Sequence, residues 1–240
     1  MIIIYDVKYF FPAKRVAMMM SVRSFGRLPR HIGVIPDGNR RWSVSLGLPK
    51  HAGYGHGIGP GFDLYRICLD LGIEEMTFYG FTQDNTKRPA EQKAAFSRAC
   101  IEAVERLTKE NADLLVMGNT DSPLFPKELL PYTKRIRFGE GAMKVNFLVN
   151  YGWSWDLNYP IKNGRNGRRF NLTKEIASSD ISRIDLIIRW GGRRRLSGFL
   201  PVQTIYSDFY VIDEMWPDFK PEQFYGALEW YQKQDITLGG

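Results

Sequence analysis

A chain of 240 residues with 44% hydrophobic content fits one α/β domain with a full core. Its net charge of +7 and sequence pI near 9.4 suit anionic partners: diphosphates, acidic lipid surfaces or nucleic acid. No nucleic-acid motif accompanies the charge, only arginines beside glycines, so no nucleic acid is expected. No segment reaches the length of a transmembrane helix. Cys68 and Cys100 lack metal or redox spacing and read as buried reduced thiols, as in a cytoplasmic protein. His31, His51 and His56 form no ligand pair of known spacing.

The chain opens on an apolar, aromatic stretch, residues 1–11, followed by Lys14 and Arg15. A signal peptide carries its positive charge before the apolar run, so this is not one. Met18, Met19 and Met20 leave two readings of residues 1–30: a start codon placed too early, or an amphipathic arm touching lipid. Residues 32–35 read as a strand, 61–71 as a helix and 75–81 as a strand. Pro89 suits the first turn of a long helix running to about Asn111. Residues 114–117, 144–150 and 185–189 are further strands, 209–212 a short last strand, and 222–231 a final helix. This alternation predicts a single α/β domain over 31–240, with a largely parallel central sheet and helices on both faces. Residues 158–170, rich in Asn, Gly and Arg, read as a surface loop. The glycines of residues 53–61 fit no nucleotide-binding spacing and read as a flexible, close-approach loop over the phosphate end of a cleft.

The chemistry concentrates in His31-Ile-Gly-Val-Ile-Pro-Asp-Gly-Asn-Arg-Arg-Trp42. An apolar strand delivers the Asp37 carboxylate at its C-terminal end, and Gly38 and Asn39 turn the chain into a helix. Free N–H groups at that helix start, with Arg40 and Arg41 beside them, form an anion site. A carboxylate next to an anion site suggests a divalent metal bridging to a phosphate. A plain strand–turn–helix corner with solvated arginines explains the spacing equally well. In open α/β sheets ligands bind beyond the carboxyl ends of strands, so Asp37, residues 82–88 and residues 189–195 can converge in one cleft.

This segment resembles the first signature of the cis-prenyltransferases of the undecaprenyl diphosphate synthase type. Phe78-Tyr-Gly-Phe-Thr-Gln-Asp-Asn-Thr-Lys-Arg-Pro89 resembles the second. Asp185-Leu-Ile-Ile-Arg-Trp-Gly-Gly-Arg-Arg-Arg-Leu-Ser-Gly-Phe-Leu200 resembles the third, and Trp216-Pro-Asp-Phe219 a fourth. The four stand in the family's order from about residue 31 to 232. The resemblance implies Mg²⁺-dependent substitution at an allylic prenyl diphosphate (dimethylallyl, geranyl or farnesyl), with isopentenyl diphosphate as the usual second substrate. It implies a hydrophobic tunnel for the product, a homodimer, and a cytoplasmic enzyme with possible peripheral membrane contact. By motif position Asp37 would bind Mg²⁺ and help expel the diphosphate, and Asp208 would be a second metal ligand. Gly38, Asn39, Arg40, Arg41, Lys50 and Arg88 would hold the allylic diphosphate. Asn85 would help orient the proton transfer, and Arg189, Arg195 and Ser197 would hold the second substrate. Phe96, on the helix that walls the family's tunnel, is either a cap that keeps the product short or plain core.

Four departures set this chain apart from the pattern it resembles. Lys50 and Tyr54 stand where the family commonly has Arg and His. Thr86 replaces a tryptophan, which would open space beside the reacting carbons. Arg193 replaces a carboxylate, a swing of two charges near the second site. The family's C-terminal Arg-x-Gly, which reaches the partner subunit's second site, is not evident in Thr237-Leu-Gly-Gly240. The second-substrate site is thus more altered than the metal–diphosphate site. A second allylic diphosphate or another small nucleophile could replace isopentenyl diphosphate; ordinary cis elongation is the alternative. A catalytic subunit borrowing Arg-x-Gly from a partner also fits. A non-catalytic subunit, or a basic membrane- or RNA-binding module, fits poorly with the presence of Asp37.

Overall fold

The computed structural model describes residues 24–162 and 171–235. Most of the expected N-terminal arm, residues 1–23, and the C-terminal tail lie outside the described residues. Seven strands form one sheet in the order β4-β3-β5-β2-β1-β6-β7. At its centre is β1 (His31–Ile35), buried at every position, as a strand covered on both faces must be. It pairs in parallel with β2 (Glu75–Tyr79) on one side and β6 (Leu186–Arg189) on the other. Beyond β2 lie β5 (Met143–Leu148), β3 (Ala112–Met117) and the short antiparallel β4 (Ile136–Arg137), which the sequence pattern did not reveal. Beyond β6 lies the edge strand β7 (Asp208–Val211). The largely parallel α/β sheet expected from the alternation is therefore present.

Strand alternation sorts the core into two layers. Ile32, Val34, Met76, Phe78, Leu186 and Ile188 face the larger layer. It is completed by α3 (Ile58–Asp70), α4 (Ala90–Leu107) and α7 (Pro221–Tyr231). Ile35, Tyr79, Leu148 and Ile187 face the smaller one, closed by Phe199, Leu200 and Trp155 of α5 (Trp153–Lys162). Cys68 and Cys100 are buried free thiols in the larger layer, and burial pushes Cys100 up to about 12.

Two loop expectations change. Asn158 to Lys162 end α5 instead of beginning a loop; residues 163–170 lie outside the described residues. The glycine-rich stretch is helical too, as α2 (Gly53–His56) running into α3. Gly53 and Gly57 serve close packing: a Cβ at Gly53 would lie 2.1 Å from the carbonyl oxygen of Asn39, and one at Gly57 2.6 Å from Asn39 Oδ1. The Gly53 contact clamps α2 onto α1 (Asn39–Ser45).

The N-terminal ends of the central strands carry a buried polar network. The His31 Nε2 lies 2.8 Å from Thr77 Oγ1, and its Nδ1 donates to the carbonyls of Ser182 and Arg183. Asn146 Nδ2 donates to Glu75 at 2.7 Å and to Thr77 at 2.9 Å, and Ser182 Oγ donates to Glu75 at 2.6 Å. Burial lowers the His31 pKa, outweighing the nearby Glu75 charge, so the ring is neutral when folded. An unfolded histidine takes up its proton below about pH 6.5. The unfolded chain thus binds more protons in the window below that value, and stability rises with pH through it. Urea midpoints between pH 5 and 7 should climb for the wild type and climb less for His31→Gln. Equal slopes would show that His31 is not the source.

Candidate active site

The carboxyl ends of β1, β2 and β6 open into a polar cleft of ≈ 790 Å³. Asp37, Gly38, Asn39, Arg40, Arg41, Lys50, Asn85, Arg88, Arg189, Arg195 and Ser197 all line it. Asp37 arrives two residues beyond β1. Gly38 then takes φ 105°, a left-handed turn that favours glycine, and caps α1 without a side-chain hydrogen bond. The first α-helical bond, Trp42 N–H to the Gly38 carbonyl at 2.8 Å, leaves earlier N–H groups of α1 without an intrahelical acceptor.

Asp37 sits in a cage of donors. Its Oδ2 accepts from Arg189 at 2.7 Å and its Oδ1 from the Gly38 N–H at 2.6 Å, with Arg41 3.6 Å away. Burial pushes this carboxyl up, but the Arg189 hydrogen bond and charge, with Gly38 and Arg41, hold it below the usual range. Asp37 is therefore ionised throughout the neutral region. Arg189 is fixed in turn: its side chain is only 5% exposed and donates to Ser197 Oγ at 3.1 Å and to the Arg195 carbonyl. Ser197 holds a left-handed φ of 54°, an uncommon conformation for a non-glycine residue, and its carbonyl accepts from Tyr79 at 2.8 Å.

The allylic-site candidates lie opposite. Arg88 donates to the Tyr54 hydroxyl at 2.9 Å; burial lowers its proton affinity, and the nearby Arg40 charge lowers it further. Asn85 is partly structural: it closes a reciprocal cap with Thr82 at the start of the 3₁₀ turn Gln83–Lys87. Tyr54 was legible only as a departure from a pattern; nothing in the sequence showed that it meets Arg88.

A second, apolar cavity of ≈ 80 Å³ opens beside the cleft, among Phe62, Tyr65, Phe78, Leu107, Phe147 and Trp216. Phe96 and Tyr54 line both spaces. Met76, though fully buried on β2, lines neither.

Three expectations need correction. Asp208 opens β7 and pairs with Leu186, whereas Asp37 lies beyond the far end of the sheet, where Ile35 pairs with Arg189. Five residues of strand rise, about 16 Å, separate the two levels, so one chain cannot bring both carboxylates to one cation. Arg193 is exposed and lines no part of the cleft, which leaves its charge acting only at a distance. Thr86 bonds to the Gln83 carbonyl at 2.6 Å inside the 3₁₀ turn and borders neither space, so the missing tryptophan does not widen them. Residues 237–240 lie outside the described residues.

Among the described residues no three His, Cys, Asp or Glu side chains gather as a metal cage. Asp37 alone still suits Mg²⁺, which is commonly held by one or two carboxylates together with substrate phosphates. Its open side faces a cleft whose arginines suit those phosphates.

A single α/β domain with a carboxylate and an arginine cluster at the strand ends defines a diphosphate-handling enzyme class. The family model for undecaprenyl diphosphate synthase matches residues 35–239, and the chain belongs to this cis-prenyltransferase family. It is 31% identical to the farnesyl-diphosphate-specific ditrans,polycis-undecaprenyl-diphosphate synthase of Pectobacterium atrosepticum, over 88% of this chain and 90% of that one. It is 29% identical to an isoprenyl transferase of Thermotoga maritima, over 89% and 98% of the two chains. In fold it is similar to lavandulyl diphosphate synthase of Lavandula x intermedia, solved with dimethylallyl diphosphate. The TM-score is 0.76 at 21% identity, covering 88% of this chain and 98% of the other. The protein is a prenyltransferase.

Proposed function

We propose that this prenyltransferase condenses a short allylic diphosphate with a second small substrate, releases diphosphate in a Mg²⁺-dependent step, and makes a short product. The observation that carries this reading is the ≈ 80 Å³ apolar cavity beside the arginine-lined cleft. A cavity of about 150 Å³ holds one benzene. Roughly half that volume leaves no room for a polyprenyl tail. Farnesyl-specific relatives exist, but what they accept is a property of those proteins.

The residues divide the work. Arg40, Arg41 and Arg88 would bind the allylic diphosphate as charged donors, most strongly as charge builds on the leaving group. Asp37 would hold Mg²⁺, which when bound supplies further neutralisation of that group. Arg189, Arg195 and Ser197 would orient the second substrate, placing two reactants in line. The aromatic walls keep water from the reacting carbon. A second allylic diphosphate in place of isopentenyl diphosphate is supported by Arg193, a positive charge where the family has a carboxylate. A homodimer and peripheral membrane contact belong to the same reading; among the described residues no helix is long and apolar enough to cross a membrane.

The test is incubation of the purified chain with labelled dimethylallyl, geranyl or farnesyl diphosphate, with and without isopentenyl diphosphate and with and without chelator, followed by mass spectrometry. Chelator-sensitive diphosphate release from the dimethylallyl compound, with a product of two five-carbon units, is expected. Regular polymers built from farnesyl and isopentenyl diphosphates would overturn the short-chain reading.

A further inference from the structure

Two aromatic rings form the partition between the polar cleft and the apolar cavity. Tyr54 and Phe96 stack face to face, with centroids 4.5 Å apart and planes within 6°. Phe96 is braced from its edge by Phe81 at 5.3 Å. Tyr54 is 6% exposed and cannot retreat, because α2 is clamped onto α1 at Gly53. Its hydroxyl is tied to Arg88, a candidate ligand of the allylic diphosphate, and the Arg88 guanidinium lies 5.8 Å from the Phe96 centroid. The ring that walls the tail is thus fastened to the group that would hold the head.

We propose that Tyr54, stacked on Phe96 and anchored by Arg88, limits the allylic substrate to a single five-carbon unit. This rests on the reading of the cleft as an allylic diphosphate site. With the diphosphate on Arg88, the first isoprene unit lies against the cleft side of the Tyr54–Phe96 pair, and the ≈ 80 Å³ behind the pair stays closed off. A second unit has to displace a ring held on one face by a stack, at its tip by a guanidinium, and from behind by a helix with no slack. Removing the Tyr54 ring joins the cavity to the cleft. Removing only the hydroxyl leaves the partition in place.

The test is calorimetric binding of the thiolo-diphosphate analogues of the dimethylallyl, geranyl and farnesyl compounds, which do not turn over. Wild-type protein should bind the dimethylallyl analogue best. Tyr54→Ala should shift the geranyl-to-dimethylallyl affinity ratio by roughly tenfold or more toward geranyl. Tyr54→Phe should keep the wild-type ratio, even where overall affinity falls with the lost Arg88 contact. A ring with only a packing role would weaken all three analogues alike. Should Tyr54→Ala fail to fold, Tyr54→Leu reads the same ratio. An unchanged ratio in the alanine or leucine variant, or wild-type protein binding the farnesyl analogue as tightly as the dimethylallyl one, overturns the inference. Failure of all three to bind wild-type protein instead removes the functional reading beneath it, and the inference with it.

Discussion

Asp37→Ala should abolish turnover and leave a folded protein. The carboxylate stands on a turn outside the core, so no cavity opens when it goes. Its loss leaves the Arg189 guanidinium, 5% exposed, without its counter-charge. That costs about 2–3 kcal/mol of stability, a fraction of what a domain of this size commands. Chemistry suffers far more. The carboxylate that pairs with Arg189 and Arg41 disappears, and with it the candidate cation site, so kcat should fall by about 10³-fold or more. Diphosphate release and thermal melting on the same preparation check both halves. Metal-dependent turnover within tenfold of wild type would falsify the role of Asp37.

The second large effect belongs to Arg189. It joins three parts of the site at once: Asp37, the Arg195 carbonyl and Ser197. Arg189→Lys keeps the charge but cannot fork between Asp37 and Ser197. The lysine variant should lower kcat/KM for the second substrate by about 10²-fold, mostly through KM, and lower the melting temperature. Arg189→Met should do both more severely, because Asp37 then loses its ion-pair partner. Kinetics at saturating allylic substrate, with the second substrate varied, separate the effects. A variant whose second-substrate KM stays at the wild-type value rules out Arg189 as part of that site.

Much of this was legible beforehand. A buried, apolar β1 followed by Pro36 and Asp37 announces a covered strand with a cleft at its tip, and both the strand and the cleft are present. All the candidates drawn from the first three motifs line one cleft, because each motif follows the carboxyl end of a parallel strand. Asp208 failed for the same reason in reverse: it begins its strand, and with 209–212 already read as that strand, the rule that puts ligands beyond carboxyl ends counted against it. The glycines of residues 53–61 were read as a flexible, close-approach loop; the close approach is there at Gly53 and Gly57, but the stretch is helical, because glycine serves both ends equally. Tyr54 and Arg88 are 34 positions apart, so their meeting is a tertiary fact that no spacing rule encodes.

The polar network around His31 and the arginine cleft occupy opposite poles of the same strands, joined by rods of apolar residues that take part in neither. The network at the lower pole thereby bears on stability without touching the cleft. Substitutions near Glu75, Asn146 and Ser182 bear on how much folded enzyme a cell keeps; those near Arg195 and Ser197 bear on what is joined to what. A lineage with this division can trade one acceptor for another at the upper rim while its scaffold carries on unaltered. Two departures from the family's pattern, Lys50 and Tyr54, line the cleft, while the sheet below it is intact.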